Sequence, residues 1–448
     1  MKNFAWFVSF SFVFVSHAFG QSPLLWERQR DVSGAADVLQ SVSTIGNTAV
    51  TAGNASVTGG LDLSVQNYSA NGDLRWADQT PLASNINTRV FTASAGINSF
   101  VAGYKSIIPD NSDIFVRGYN TITGNVLWSD LIDKGTDDLP QGLAASPSAV
   151  VVVGYGGNTS APPTALNALI RAYHPVTGRV LWENVINKGD TFDDIAWAVC
   201  IDGDEVFVAG TSNVIGETRN MIVRGYNAST GRLLWEIQRP GISPTAITAR
   251  LGRVFVAGSS DSNIFLASFK QSNGGLIWED TGLAGSLVDV QVEDHRVVAV
   301  GTSSRGSLVR VYQSANGRVI WQHRSTPDVG FQESLSAVDL GNDVVYVTGT
   351  FSRDFSYSQF LVRAYDLSNG DILLDDKSHR SGGLFGSSGF DIAIGSTIVY
   401  AVGGASDRGS SDFLIRAYDR RAIEPKRKLF TLVLQQRAGM EPNFSDYD

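Results

Sequence analysis

One ten-residue phrase recurs along this chain and leaves few folds open to it. It reads Tyr119-Asn-Thr-Ile-Thr-Gly-Asn-Val-Leu-Trp128, then Tyr173-His-Pro-Val-Thr-Gly-Arg-Val-Leu-Trp182, then Tyr226-Asn-Ala-Ser-Thr-Gly-Arg-Leu-Leu-Trp235. It returns at 269–278, 312–321 and 365–374, with a form one residue shorter at 68–76. The tryptophan position falls at 26, 76, 128, 182, 235, 278, 321 and, as leucine, 374. A unit of about 50 residues is the size of a propeller blade or a solenoid turn.

Strand chemistry decides between the two. Each unit contains a β-rich run closed by glycine, such as Ala149-Val-Val-Val-Val-Gly154, Glu205-Val-Phe-Val-Ala-Gly210 or Asp343-Val-Val-Tyr-Val-Thr-Gly349. A second run follows, such as Ile114-Phe-Val-Arg-Gly-Tyr119 or Phe360-Leu-Val-Arg-Ala-Tyr365, and a Thr-Gly or Asn-Gly turn leads into the tryptophan strand. An alternating run before each glycine strand, such as Ile195-Ala-Trp-Ala-Val199, supplies a fourth strand. No helical period is sustained anywhere. The chain therefore reads as an all-β, eight-bladed β-propeller of four-stranded antiparallel blades.

The order of the strands fixes how the ring would close. Inner strands begin near residues 37, 87, 138, 194, 242, 285, 333 and 387, yet the first tryptophan strand, Leu24-Leu-Trp-Glu27, precedes them all. This N-terminal strand is expected to complete the last blade, which removes the exposed edges an open ring would leave. The competing segment is Lys428-Leu-Phe-Thr-Leu-Val-Leu434, although Arg420 to Pro425 lacks the Gly turn of the other hairpins. The expected division is a signal peptide at 1–20, the propeller at 21–421 and a C-terminal tail at 422–448. One large ring per blade is expected to fill the wedge between neighbouring sheets rather than to stack on sugars.

The start of the chain predicts export. Lys2 precedes an apolar stretch from Phe4 to Val15, and Ala18-Phe-Gly20 places small residues before Gln21. The stretch is too short to span a bilayer, which needs roughly 20 residues. A secreted or periplasmic protein is expected, with no transmembrane span. Cys200 is the only cysteine, so packing rather than a disulfide must hold the fold. The Asn-x-Ser/Thr triplets starting at Asn54, Asn67, Asn158, Asn227 and Asn443 would accept glycans only in a eukaryotic secretory pathway. A formal charge of −9 argues against nucleic acid, whose phosphates need clustered Lys and Arg.

Units such as Ala364-Tyr-Asp-Leu-Ser-Asn-Gly370 and Gly225-Tyr-Asn-Ala-Ser-Thr-Gly231, each leading into the tryptophan strand, resemble the repeats of the quinoprotein-like (PQQ-like) β-propeller superfamily. Stretches such as Asp194-Ile-Ala-Trp-Ala-Val and Ser411-Asp-Phe-Leu-Ile-Arg-Ala-Tyr-Asp419 also resemble a short bacterial propeller repeat. The resemblance spans residues 24 to about 420. It implies a propeller that serves either as a pyrroloquinoline-quinone dehydrogenase or as a component of outer-membrane assembly. The dehydrogenases carry adjacent cysteines bridged over the quinone, which a chain with Cys200 alone cannot supply, and no calcium-binding Glu, Asn and Asp set aligns here. The assembly relative is an anchored lipoprotein, and no cysteine stands at Gln21. A non-dehydrogenase member is expected, because propellers host unrelated functions on one frame.

Two polar registers stand out. Sixteen residues before each closing glycine lie Asp37, Asn87, Asp138, Asp194, Ile242, Gly285, Glu333 and Ser387. If this register rings the mouth of the channel, Asp37, Asp138, Asp194 and Glu333 could hold calcium or another divalent cation through oxygen ligands. The other reading is that each accepts backbone N–H groups in the loop that leads into its blade. Two residues before the blade tyrosine lie Arg117, Arg171, Arg224, Arg310, Arg363 and Arg416, expected to pair with acids such as Glu183, Glu236 or Glu279. The histidines are scattered without metal-type spacing, Cys200 reads as a packed thiol, and no nucleophile or phosphate-loop motif is present. Long connections at 104–113, 155–167, 211–220 and 350–358 gather at one end of the expected ring, where binding usually resides. Asp-rich lead-in loops at 133–138 and 187–194 would make that end acidic and suited to a basic partner. The leading expectation is a scaffold that binds a protein partner through this face. The alternatives are an enzyme with a metal-assisted or acid/base site at Asp138, Asp194 and Glu333, and a quinone dehydrogenase.

Overall fold

A computed structural model describes residues 22–425, apart from loop segments at 32–36, 58–59, 85–88, 109–110, 136, 158–165, 189–192, 213–219, 305, 327, 329, 354–356, 378–385 and 408–409. The expected signal peptide and the strand candidate at 428–434 lie outside the described residues, as do the centres of the long connections. Among the described residues, no helix is long and apolar enough to cross a membrane.

The eight-bladed propeller is present. Thirty-two strands form eight sheets of four, and in seven of them the strands follow one another in chain order from the inner to the outer edge. The inner strands of blades 1 to 8 are Asp37–Ile45, Phe91–Ala95, Leu139–Ala145, Ile195–Asp202, Ile242–Arg250, Gly285–Glu293, Phe331–Gly341 and Ser387–Ile394. Blade 8 takes its outer strand from the N-terminus: Leu24–Arg30 runs antiparallel to Ser410–Asp419. The Glu27 carboxylate holds Arg416 across this junction, with Nε–Oε2 at 2.7 Å. A last helical turn, Arg420–Ile423, buries Ile423 beneath blades 7 and 8, and Arg420 donates to the Gly395 carbonyl at 2.6 Å.

The repeated phrase explains the ring. The indole N–H of Trp26, Trp76, Trp128, Trp182, Trp235, Trp278 and Trp321 donates to a carbonyl in the outer turn of the next blade, at 2.7 to 2.9 Å. The glycine of that turn lies flat against the ring. At Gly178 (φ +66°) a Cβ would stand 2.5 Å from the Trp128 Cγ, and at Gly231 (φ +67°) 2.6 Å from Trp182. The turn thus needs glycine twice, for its left-handed backbone and for the indole beneath it. Leu374 breaks the series for a structural reason. The next blade is blade 8, whose outer strand arrives from the N-terminus, so no hairpin turn stands there to accept an indole.

The blade tyrosines are fully buried, and several bond to an acid two residues after the preceding blade's tryptophan position. Tyr119 donates to Asp78, Tyr173 to Asp130, Tyr312 to Asp280 and Tyr418 to Asp376, at 2.7 to 2.9 Å. The arginine register completes the clasp, and the expected pairing holds for most of it. Arg171 bridges Glu183 of its own blade and Asp130 of the previous one, and Arg416 joins Glu27 to Asp376. Arg224 pairs with Glu236, and Arg310 with Asp280. Glu279 is the exception, since its partner is Arg239 of the previous blade.

Candidate functional site

The inner edges of the eight sheets surround a channel, and a single backbone device decides what lines it. In seven inner strands the pairing slips by one residue, between Leu39 and Ser41, Pro140 and Gly142, Ala196 and Ala198, Pro244 and Ala246, Leu287 and Asp289, Leu335 and Ala337, and Gly389 and Asp391. A bulge of this kind leaves one residue unpaired and re-aims its side chain. The residues so released are Gln40, Gln141, Trp197, Thr245, Val288, Ser336 and Phe390, and blade 2 adds Val90 just ahead of its short inner strand. All eight line one cavity of about 890 Å3 at the channel, joined by Arg89 and Phe91.

The closing glycine marks where the bulge presses in. A Cβ on Gly154 would collide with the Leu139 carbonyl oxygen, and the same holds for Gly210 and Ile195. Each ring residue therefore stands thirteen residues before its closing glycine, from Gln40 and Gly53 through Phe390 and Gly403. The thirteen-residue spacing is present in the sequence, but strand alternation does not mark which residue the bulge releases. Trp197 is also the one tryptophan after residue 20 that lies outside the blade phrase.

The sixteen-back register is not the channel ring. Asp37 is buried at the first position of its inner strand, Asp138 and Asp194 just ahead of theirs, and Glu333 within blade 7. Asp138 accepts the backbone N–H groups of Lys134 and Gly157, Asp194 that of Lys188 at 2.7 Å, and Asp37 that of Ser56 at 3.2 Å. Glu333 takes Arg363 at 2.8 and 3.1 Å and Ser307 at 2.6 Å, and the guanidinium holds its carboxyl below the usual range despite burial. The bulge accounts for the difference: it turns the thirteen-back residue to the channel while the earlier side chain folds back onto loop amides. Among the described residues, one set of three carboxylates has oxygens all within 4.8 Å of one another, Asp113, Asp133 and Asp138, and it contains one of the four expected acids.

Further along the channel, three other aspartates stitch the inner strands together. Asp289 accepts from Val290 and, across the blade boundary, from Val338 at 2.9 Å. Asp339 does the same with Leu340 and Ile394, and Asp391 with Ile392, Val42 and Ser41. They cap N–H groups that an inner strand's open edge would leave unpaired. Burial pushes Asp289 and Asp339 up to about 7, and repulsion from Asp391 adds to both. Around the rest of the mouth, Gln40 accepts from Val90 N–H at 2.9 Å and Arg89 donates to Gln141 at 3.0 Å.

A quinone held over a cation does not fit this channel. The eight ring residues include no carboxylate, and the three channel aspartates spend both oxygens on backbone amides. Cys200 points into the packing between blades 4 and 5, where burial raises its thiol. What the mouth offers is a ring of two amides, two hydroxyls and two valines with two aromatics on opposite sides, Trp197 from blade 4 and Phe390 from blade 8. Phe390 is 42% exposed. The same end carries the long connections, since the loop amides at Gly157 and Lys188 close onto Asp138 and Asp194. Its expected acidity is partly offset, because Lys134 and Lys188 pair with Glu183 and Glu236.

Residues 92–221 and 219–384 match the family described as outer membrane protein assembly factor BamB. No curated protein matches the chain. Among solved structures, the computationally designed Ika8 protein aligns at a TM-score of 0.56 with 16% identity, covering 88% of this chain and 100% of its own. BamB from Moraxella catarrhalis aligns at 0.51 with 13% identity, covering 88% and 97%. A quinohemoprotein alcohol dehydrogenase from Pseudomonas putida HK5 aligns at 0.55 with 11% identity, covering 90% and 76%. At such identities these structures share the fold.

Proposed function

The chain belongs to the PQQ-like propeller family described as outer membrane protein assembly factor BamB, and from that premise we propose that it is an exported scaffold that binds a protein partner across the long-loop end of the ring. One observation carries the reading. The side chains that repeat from blade to blade are consumed in holding the blades together, whereas the mouth presents a different residue from nearly every blade. A surface of that kind discriminates between partners. Trp197 and Phe390 are the anchors this reading selects, since aromatic side chains dominate contact energies. Arg89, Gln40 and Gln141 would form the polar surround. Export rests on the pattern of residues 1–20 and is checked by N-terminal sequencing of the mature protein, expected to begin at Gln21.

The binding test uses affinity capture from the native cell envelope, followed by titration of the purified partner. Wild type and the rim variant Arg224→Ala should bind alike. Trp197→Ala combined with Phe390→Ala should weaken binding by tenfold or more while lowering the melting temperature by only a few degrees. Equal binding by all three chains, or no partner at all, would overturn the reading.

A further inference from the structure

We propose that Asp113, Asp133 and Asp138 form a calcium site where blade 2 meets blade 3, at the long-loop end but away from the channel ring. Asp113 stands near the start of the blade 2 strand Asn111–Asn120. Asp133 and Asp138 flank the loop between the outer strand Val126–Ile132 and the inner strand Leu139–Ala145. One oxygen from each lies within 4.8 Å of the other two. Oxygen ligands on a calcium ion sit at roughly 2.3–2.6 Å, so two of them are at most about 5 Å apart, and this triplet meets that limit.

The state of Asp113 points to a ligand rather than to a fortuitous cluster. Its side chain is fully buried, and among the described residues neither carboxylate oxygen has a hydrogen-bond partner. A buried carboxylate ordinarily finds amides or a cationic side chain, because its desolvation is otherwise uncompensated. Lys105 lies opposite Asp113 in the strand register, yet no ion pair joins them among the described residues. The loop is already folded around the site: Asp138 receives the Lys134 and Gly157 amides, Asp133 receives Gly135 N–H at 2.8 Å, and Ser112 N–H goes to Asp137 at 3.1 Å. Asp138 keeps lone pairs for a cation beyond those two bonds. Burial raises both Asp113 and Asp138, the latter to about 7, and the neighbouring acids add repulsion that a divalent ion would reverse.

The donor set selects the ion. Three carboxylates without His or Cys exclude a preference for zinc, and ligands drawn from separate loops suit calcium's adaptable sphere better than the strict octahedron of magnesium. The bound ion would pin the lead-in loop of blade 3 to the third strand of blade 2. This site is independent of which partner the mouth binds.

Calorimetric titration of the EDTA-stripped chain with calcium chloride, paired with melting curves, tests the site. One ion per chain should bind below about 1 mM, in the range of extracellular calcium modules. Asp113→Asn should weaken binding at least tenfold. The melting order should also invert, with Asp113→Asn above wild type in EDTA and below it in calcium, because the variant removes an unpaired buried charge along with a ligand. Asp133→Asn, at an exposed position, carries the affinity test if Asp113→Asn does not fold. Absence of calcium binding by wild type, or unchanged affinity in both variants, would overturn the proposal.

Discussion

The rim and the channel are built from the same eight repeats, yet they treat repetition in opposite ways. At the rim, indole, turn glycine, tyrosine, arginine and aspartate recur because each neighbouring pair of blades presents the same wedge to be filled. At the mouth, the bulge recurs in seven blades while its side chain changes from Gln40 to Gln141, Trp197, Thr245, Val288, Ser336 and Phe390, and Val90 takes the equivalent place in blade 2. A repeated residue in a closed ring is thus explained by its neighbour, and a repeated position with varied residues is free to serve something outside the chain. The aspartates show the same division. Asp78, Asp130, Asp280 and Asp376 hold tyrosines, while the Asp113 carboxylate has no hydrogen-bond partner among the described residues.

The sharpest way to break this comparison is to remove one tryptophan from each region. Trp182→Ala should destabilise the chain by ~3–5 kcal/mol in denaturant titration, through lost burial, a cavity and a stranded Ala228 carbonyl. Trp197→Ala should cost about 1 kcal/mol, since its ring lies at the channel and its one hydrogen bond is to Thr211 at 3.0 Å. Equal losses would mean that the mouth is part of the core.

A pair of glycines isolates the indole contact from backbone strain. Gly231 and Gly203 both have positive φ, +67° and +59°, but a Cβ at Gly203 would meet nothing within 4 Å. Gly203→Ala should cost about 1 kcal/mol, and Gly231→Ala about 2–3 kcal/mol because it also displaces Trp182. A difference near zero in the same denaturant titration would show that the turn shifts freely over the ring.

The channel acids are tested by pH rather than by packing. Because Asp289 and Asp339 hold protons in the folded state up to about pH 7, against 3.8 for an ordinary aspartate, the folded chain binds more protons than the unfolded one between those values. Their contribution is complete below pH 4 and is lost as pH rises through 7. With chelator present, melting temperature should decline from pH 5 to pH 8, as stability falls by about 2–3 kcal/mol per group. Asp289→Asn should flatten part of that slope. A melting temperature that rises over the same range would show that these carboxylates are stabilised as anions by the amides they cap.

Much of this molecule could be read before any coordinates. The phrase from Tyr to Trp gave the blade, its seven copies set the size of the ring, and the orphaned tryptophan strand at Leu24–Arg30 gave the eighth blade and the closure. Arginine pairing was legible because six copies could not all serve one site. The channel was not, because a one-residue slip in a strand exchanges which side chain faces where, and nothing in the alternation of Ile195-Ala-Trp-Ala-Val199 announces it. The acids at Asp37, Asp138 and Asp194 looked like a ring because they share a register, while loop amides brought close only by folding claim their oxygens. Asp113 shares its place, six residues before the blade tyrosine, with Asp62 and Asp412, and its meeting with Asp133 and Asp138 depends on where blade 2 ends in space. Local propensity and periodicity act within a unit and so are written in the chain, whereas the partners of a buried charge come from different units and exist only once the ring has closed.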